Sequence, residues 1–137
     1  MNTSLGLTQD AGWQMGIRRT VPVTPHQAWE FLTGPGLSSW LGTLDPGAIR
    51  AIGGAYVTAE GTRGELRSRA EGSMLRLTWQ PAGAETDSTV QLRVIPAKTG
   101  STIAIHHERL SGPAEREEML AHWGAVLNIL EARIVES

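Results

Sequence analysis

The last quarter of this chain carries one continuous apolar stripe, and such a stripe has to be buried against another surface. From Ser111 to Ile134 the apolar residues recur at steps of three and four positions, the spacing of a single helix face. The stripe consists of Met119, Leu120, Trp123, Val126, Leu127, Leu130 and Ile134. Pro113 and the glutamates that follow it are typical of a helix start. The pattern predicts a C-terminal amphipathic helix of about five or six turns.

The preceding residues supply a surface of matching length. Between residues 13 and 23 the apolar side chains stand at nearly every second position, which is the period of a strand with one buried face. Five further strand-like runs cover residues 55–60, 63–70, 73–80, 90–94 and 103–107. Short turns rich in glycine join most of them, so the runs predict an antiparallel meander. The helix stripe is therefore expected to pack on the apolar face of this sheet.

Two short helices are expected after the first strand. Thr24 and Pro25 have the residue types of a helix N-cap and a first helical position. A second helical turn is expected over residues 37–41, and residues 42–54 form a loop or contain one weak strand near 48–52. Residues 1–12 are expected to be a flexible leader or a short edge extension. Residues 13–137 then form a single α+β domain.

Composition excludes several classes of protein. The net charge is −2 and the basic residues are scattered, so a nucleic-acid partner is not expected. The chain has no cysteine, which rules out disulfides and thiol catalysis. No run approaches the roughly 20 apolar residues of a membrane span. The first residues lack the pattern of a signal peptide, so a cytoplasmic location is expected.

The order of these elements resembles the START-like (SRPBCC) superfamily, and within it the branch named for activators of the Hsp90 ATPase. Residues 23–29 are similar to that branch's Ala-Pro-x-x-x-Val-Trp junction between a strand and a helix. Residues 35–41 resemble a segment that usually carries a pair of tryptophans. Here Trp40 is present and Leu41 replaces the second one.

Three further segments extend the resemblance to residues 13–136. Residues 64–66 and 75–79 are similar to a hairpin that ends in Leu-x-x-Thr-Trp. Residues 102–110 resemble a Thr-x-Leu-x-Leu-x-His strand, which places His107 at the family's histidine position. Residues 122–124 match a helix segment containing Gly-Trp or His-Trp. The resemblance implies a helix-grip fold, with a curved antiparallel sheet of six or seven strands wrapped around the C-terminal helix.

His107 is the polar residue of greatest interest. Strand alternation places it on the same face as Ile103 and Ile105, toward the helix, and places His106 toward solvent. His107 is then either a ligand-orienting or acid–base group, or a half-buried histidine bonded to a carbonyl. Because adjacent strand residues face opposite sides, His106 and His107 are not expected to share a metal ion.

Arg109 would continue the alternation of His107 and lie near the end of the strand. There it could receive an anionic head group, or it could be a rim residue that pairs with a helix glutamate. Tryptophans are unusually frequent among the aromatic residues, and such side chains either fill cores or line cavities. The residues expected to line a cavity between sheet and helix are Trp40, Trp79, Ile105, His107, Arg109, Met119, Leu120 and Trp123.

Three hypotheses about function follow. The first is a non-enzymatic protein that binds a small apolar or amphipathic molecule in this cavity. The second is a cyclase- or dehydratase-like enzyme with His107 as general acid or base, and the third is the protein-interaction adaptor that the family's name suggests. No residue has the context of a catalytic nucleophile, and no cofactor or metal is expected. A homodimer or a protein partner stays open.

Overall fold

The structure is a computed structural model that describes residues 7–8, as backbone, and residues 12–136. The strands are β1 (Leu7–Thr8), β2 (Gly12–Val21), β3 (Ala55–Val57), β4 (Arg63–Ala70), β5 (Met74–Trp79), β6 (Ser88–Ala97) and β7 (Gly100–Leu110). The helices are α1 (Pro25–Leu32), α2 (Leu37–Trp40) and α3 (Pro113–Ile134), with a 3-10 helix at Pro46–Ile49. No described helix is long and apolar enough to cross a membrane.

The strands form one antiparallel sheet in the order β1-β2-β7-β6-β5-β4-β3. Consecutive strands from β3 to β7 are neighbours, as the short turns between them predict. The first long strand, β2, lies beside the last one, β7. This arrangement confirms the predicted helix-grip architecture.

The apolar stripe of α3 is buried against the inner face of the sheet, as its spacing predicts. Its buried side chains are Trp123, Val126, Leu127, Leu130 and Ile134, whereas Met119 and Leu120 are partly buried. Each large apolar side chain buried in this way contributes about 1.5–3 kcal/mol. The stripe therefore fixes α3 on the sheet. The first turns of α3 are less buried than the rest of the helix.

The first helix begins where the sequence predicts. Thr24 Oγ1 accepts a hydrogen bond from the Gln27 amide at 3.1 Å, and Gln27 Oε1 accepts one from the Thr24 amide at 2.9 Å. This reciprocal capping satisfies two N–H groups that a helix start leaves unpaired. The next helix is tied to α1 by Trp40, whose indole N–H donates to the Leu32 carbonyl at 2.9 Å.

The glycine-rich segment contains a 3-10 helix instead of a weak strand. Asp45 Oδ1 accepts from the Gly47 amide at 2.8 Å, and Pro46 occupies the first helical position. The Asp-Pro pair thus begins a helical turn, and it buries Ile49. At the N-terminus, Leu7 and Thr8 pair with Trp13 and Gly12, so this part of the expected leader is an edge strand.

The prediction that Arg109 shares the alternation of His107 is wrong, because β7 contains a bulge. Met15 pairs with His107 and Trp13 pairs with Leu110, so two steps on β2 face three on β7. Arg109 takes a left-handed backbone conformation (φ 62°). The extra residue turns Leu110 inward and leaves Arg109 exposed at the rim.

Gly64 allows a close approach between β4 and β5 that no larger residue permits. A Cβ atom there would lie 2.0 Å from the Thr78 carbonyl oxygen, which also accepts a hydrogen bond from the Tyr56 hydroxyl. We expect Gly64→Ala to lower the free energy of unfolding by about 1–3 kcal/mol, since the strands must shift. Urea denaturation measures this change. Ser68→Ala on the same strand is the control, and an equal loss in both variants would contradict the close-approach explanation.

Candidate functional site

Four rings pack together where the N-terminal half of α3 meets β5 and β7, and we call them the aromatic cluster. They belong to Trp79, His107, His122 and Trp123. Ring centroids lie 5.1 Å apart between Trp79 and His107, 5.6 Å between Trp79 and Trp123, and 4.6 Å between His122 and Trp123. Such tilted and edge-on contacts are favourable for aromatic pairs. The cluster therefore fills the space that the sequence predicted as cavity at this end.

The hydrogen bonds of His107 fix its tautomer. The indole N–H of Trp123 lies 3.0 Å from Nδ1, and an indole nitrogen can only donate, so Nδ1 carries no proton. The proton of the neutral ring is then on Nε2, which donates to Ser88 Oγ at 2.6 Å. Ser88 Oγ in turn lies 3.3 Å from the Trp79 carbonyl oxygen. Both ring nitrogens are thus engaged within the protein.

The environment of His107 disfavours its charged form. Burial, followed by the charges of His122 and His106, lowers the pKa of His107 to about 4. A proton on Nδ1 would also face the N–H of Trp123, so protonation would break that hydrogen bond. Burial lowers the pKa of His122 as well, and the nearby Glu118 carboxylate acts in the opposite direction.

Next to the aromatic cluster is an open cleft of about 310 Å³, which we call the mouth cleft. Trp79 forms its inner wall and Met119 of α3 forms part of the opposite side. The remaining lining residues come from the β5–β6 loop, the facing ends of β6 and β7, and the start of α3: Pro81, Ala84, Thr86, Asp87, Ser88, Arg109, Ser111, Glu115 and Glu118. The cleft thus combines four apolar residues with seven polar or charged ones.

Arg109 is held at that rim by two side chains. Its Nη2 donates to Asp87 Oδ1 at 3.0 Å, and its Nε donates to Thr89 Oγ1 at 3.0 Å. The predicted helix-glutamate partner is therefore replaced by an aspartate of the β5–β6 loop. Glu115 is engaged elsewhere, because its carboxylate accepts from the Ser111 amide at 2.7 Å.

Three of the eight predicted lining residues line the mouth cleft: Trp79, Arg109 and Met119. His107 and Trp123 lie behind Trp79, and both are 0% exposed. Ile105 belongs to the buried core and Leu120 packs against that core. Trp40 lies in α2, where it is a buried core residue. Trp40 and Trp123, which were among the residues expected to line a cavity, are thus large core side chains.

Sequence reasoning missed the residues that complete the rim. Asp87 and Ser88 follow a loop for which no role was predicted, and Glu118 was considered only for its effect on the helix start. Strand pairing could have found Ser88, because Thr89 and Val90 on β6 pair with Glu108 and His107 on β7. The position of Asp87 depends on the path of the loop and on the bulge at Arg109, for which the sequence gives no signal.

No protein-family model matches this sequence, and no curated protein matches it. Solved structures do match. CalU16 from Micromonospora echinospora is 20% identical, with a TM-score of 0.74 over 88% of this chain and 73% of that one. Protein MLL2253 from Mesorhizobium loti is 18% identical, with a TM-score of 0.71 over 90% of this chain and 96% of that one.

A third match is the Aha1 dimer from Colwellia psychrerythraea, at 14% identity. Its TM-score is 0.69 over 88% of this chain and 95% of that one. At these identities the likeness concerns the arrangement of the backbone. The chain therefore has the helix-grip fold of these proteins, as its resemblance to the START-like superfamily implied.

Proposed function

We propose that this protein binds a small amphipathic molecule in the mouth cleft. The observation that carries the proposal is that one cleft of about 310 Å³ brings the apolar side chains of Trp79 and Met119 together with the fixed Arg109–Asp87 ion pair. Ligand sites combine apolar side chains with placed polar groups, and this volume is at the lower end of their range of about 300–1,000 Å³. The ligand would therefore be small.

The lining residues indicate how such a ligand would lie. Its apolar part would contact Trp79 and Met119, and its polar part would lie toward Ser88 and the Arg109–Asp87 ion pair. The indole N–H of Trp79 is buried and has no hydrogen-bond partner among the described residues, so an oxygen-bearing ligand would pair with it if the ring turned toward the cleft. An unpaired buried donor costs about 1–3 kcal/mol, and a ligand oxygen would remove that cost.

Binding is favoured over catalysis by the state of His107. Both of its ring nitrogens are hydrogen-bonded within the protein, and the side chain is 0% exposed. A general acid or base must come within hydrogen-bond reach of the reacting proton. His107 instead supports the cleft from behind, since it bonds both Trp123 and Ser88.

A fluorescent probe tests the proposal directly. N-phenyl-1-naphthylamine is uncharged, largely apolar and carries one polar N–H group. We expect Met119→Glu to weaken its binding at least about tenfold, because a carboxylate would replace part of the apolar wall. Titration of the probe, followed by its emission and by quenching of tryptophan fluorescence, measures the affinity.

The matched control is Ile129→Glu. Ile129 is on the same helix and is 48% exposed, but it does not line the mouth cleft. The proposal predicts that this variant binds the probe as the original protein does. The proposal is refuted if Met119→Glu binds the probe as tightly as the original protein does. It is also refuted if the two variants lose the same amount of affinity, because the probe would then bind elsewhere.

A further inference from the structure

The outer face of the sheet has a depression of about 360 Å³ that is separate from the mouth cleft, and we call it the outer trough. Its lining comes from three adjacent strands, β2, β7 and β6. Besides Ile17 and Ile105, it includes six residues: Gly16, Arg18, Gln91, Arg93, Ala104 and His106. All six lie on the face turned away from α3, opposite to the inward-facing Ile103 and Ile105.

Strand register explains why this depression exists. Ala104 on β7 pairs with Arg18 on one side and Arg93 on the other. In the next row, His106 pairs with Gly16. Alanine and glycine thus leave the floor open between longer side chains. The two arginines are two strand spacings apart, about 10 Å between their Cα atoms, so their guanidinium groups can reach a shared ligand above Ala104.

The charges of these arginines are not balanced within the described part of the chain. Neither Arg18 nor Arg93 has a side-chain hydrogen bond or an ion pair with any described residue. Further along the same face the charges are paired, because Glu108 is bound to Arg76 and lies 4.0 Å from His106. Arg18 and Arg93 thus present two unpaired guanidinium groups on either side of the same open floor at Ala104.

We infer that the outer trough binds a phosphate group. Guanidinium groups present several N–H donors in a planar fork that matches the oxygens of phosphate, and they are always charged. Arg18 and Arg93 would hold the anion from opposite sides, and the His106 ring at the edge would add a third donor. The phosphate could be free in solution or part of a lipid headgroup. The inference does not depend on the mouth cleft, which lies on the other face of the sheet.

Inorganic phosphate is the first probe. Amide chemical shifts are followed by NMR while phosphate replaces chloride at constant ionic strength, so that general screening does not change. We expect shifts at residues around the outer trough, and at least about fivefold weaker binding in Arg18→Gln and in Arg93→Gln. The matched control is Arg63→Gln, an exposed arginine on β4 outside the trough. Equal affinity in all four proteins, or an equal loss in the control, would overturn the inference.

A further variant tests the place of binding without removing a charge. Ala104→Leu fills the floor and keeps both arginines, so it should also weaken phosphate binding. Unchanged binding in this variant would place the anion outside the outer trough and overturn the assignment. Circular dichroism and a urea melt establish that each variant is folded before it is titrated.

Vesicles separate the two sources of phosphate. The vesicles contain phosphatidylcholine alone or with phosphatidic acid, whose headgroup is a phosphate monoester. Co-sedimentation that requires phosphatidic acid and both arginines would assign the site to a lipid phosphate. Binding of inorganic phosphate without co-sedimentation would assign it to a soluble phosphate. Absence of both interactions would refute the inference and leave the probe-binding test of the mouth cleft unaffected.

Discussion

Replacing Trp123 with alanine is expected to lower the free energy of unfolding by about 3–5 kcal/mol, as for other large buried aromatic side chains. Trp123 is 0% exposed and contacts the rings of Trp79, His107 and His122. The substitution removes these contacts and leaves a void on α3. It also leaves Nδ1 of His107 without its donor, which adds the cost of a buried acceptor that has no partner.

Denaturation in urea measures this loss of stability. One further variant separates the contribution of the apolar volume from that of the indole N–H, and another serves as the control. Trp123→Phe keeps most of the apolar volume but removes the indole N–H, so it should lose less than Trp123→Ala. Ile129→Ala is the matched control on the same helix, because Ile129 is 48% exposed. A loss in Trp123→Ala no larger than that in Ile129→Ala would contradict the core role of Trp123.

The parts of the fold that the sequence predicts are those set by periodicity. The three- and four-residue steps of α3 predict its buried face, and the alternation around Leu75 and Leu77 predicts β5. Thr24 and Pro25 predict the start of α1 because the N-cap bonds are local. In each case the determining interactions lie within a few residues, or follow from one apolar face that must be buried.

The candidate site depends on interactions between distant residues, and the sequence predicts it only in part. Alternation correctly turns His107 inward, but it cannot show that Trp123 and Ser88 occupy both ring nitrogens. Arg109 departs from the alternation because of a bulge at a residue other than glycine, for which no local signal exists. The apolar pattern of the sequence likewise does not show whether a tryptophan belongs to the core or lines a cleft. Trp40 and Trp123 fill the core, and Trp79 borders the mouth cleft.

Acidification is expected to destabilise the protein because of His107. The pKa of His107 is about 4 in the folded protein, against 6.5 for the same group in an unfolded chain. Above pH 6.5 both states are neutral at this residue, and its stabilising contribution is fully present. As the pH falls from 6.5 toward 4, the unfolded chain binds the proton first, so stability is lost over this interval. Between pH 7 and 4.5 the loss amounts to about 2–3 kcal/mol.

The physical cause of the loss is local. Protonation would put a charge in a site closed to water. It would also place a proton on Nδ1 directly against the indole N–H of Trp123, so that two donors would face each other. The lowered pKa of His122 acts in the same direction, so the contribution of His107 has to be isolated by a variant. In His107→Gln, the amide oxygen can accept from Trp123 and the amide nitrogen can donate to Ser88, yet the side chain does not titrate.

We therefore expect the stability of His107→Gln to fall much less between pH 7 and 4.5 than that of the original protein. Urea melts at half-unit steps of pH measure the difference. The measurements end at pH 4.5 because protonation of Glu60 and Glu71, whose carboxyl pKa values are lowered, also changes the stability below that pH. His26→Gln, at an exposed position on α1, is the matched control and should keep the original pH dependence. If His107→Gln loses as much stability on acidification as His26→Gln does, another group causes the acid sensitivity. The hydrogen bonds assigned to the neutral ring of His107 would then not determine how the protein responds to pH.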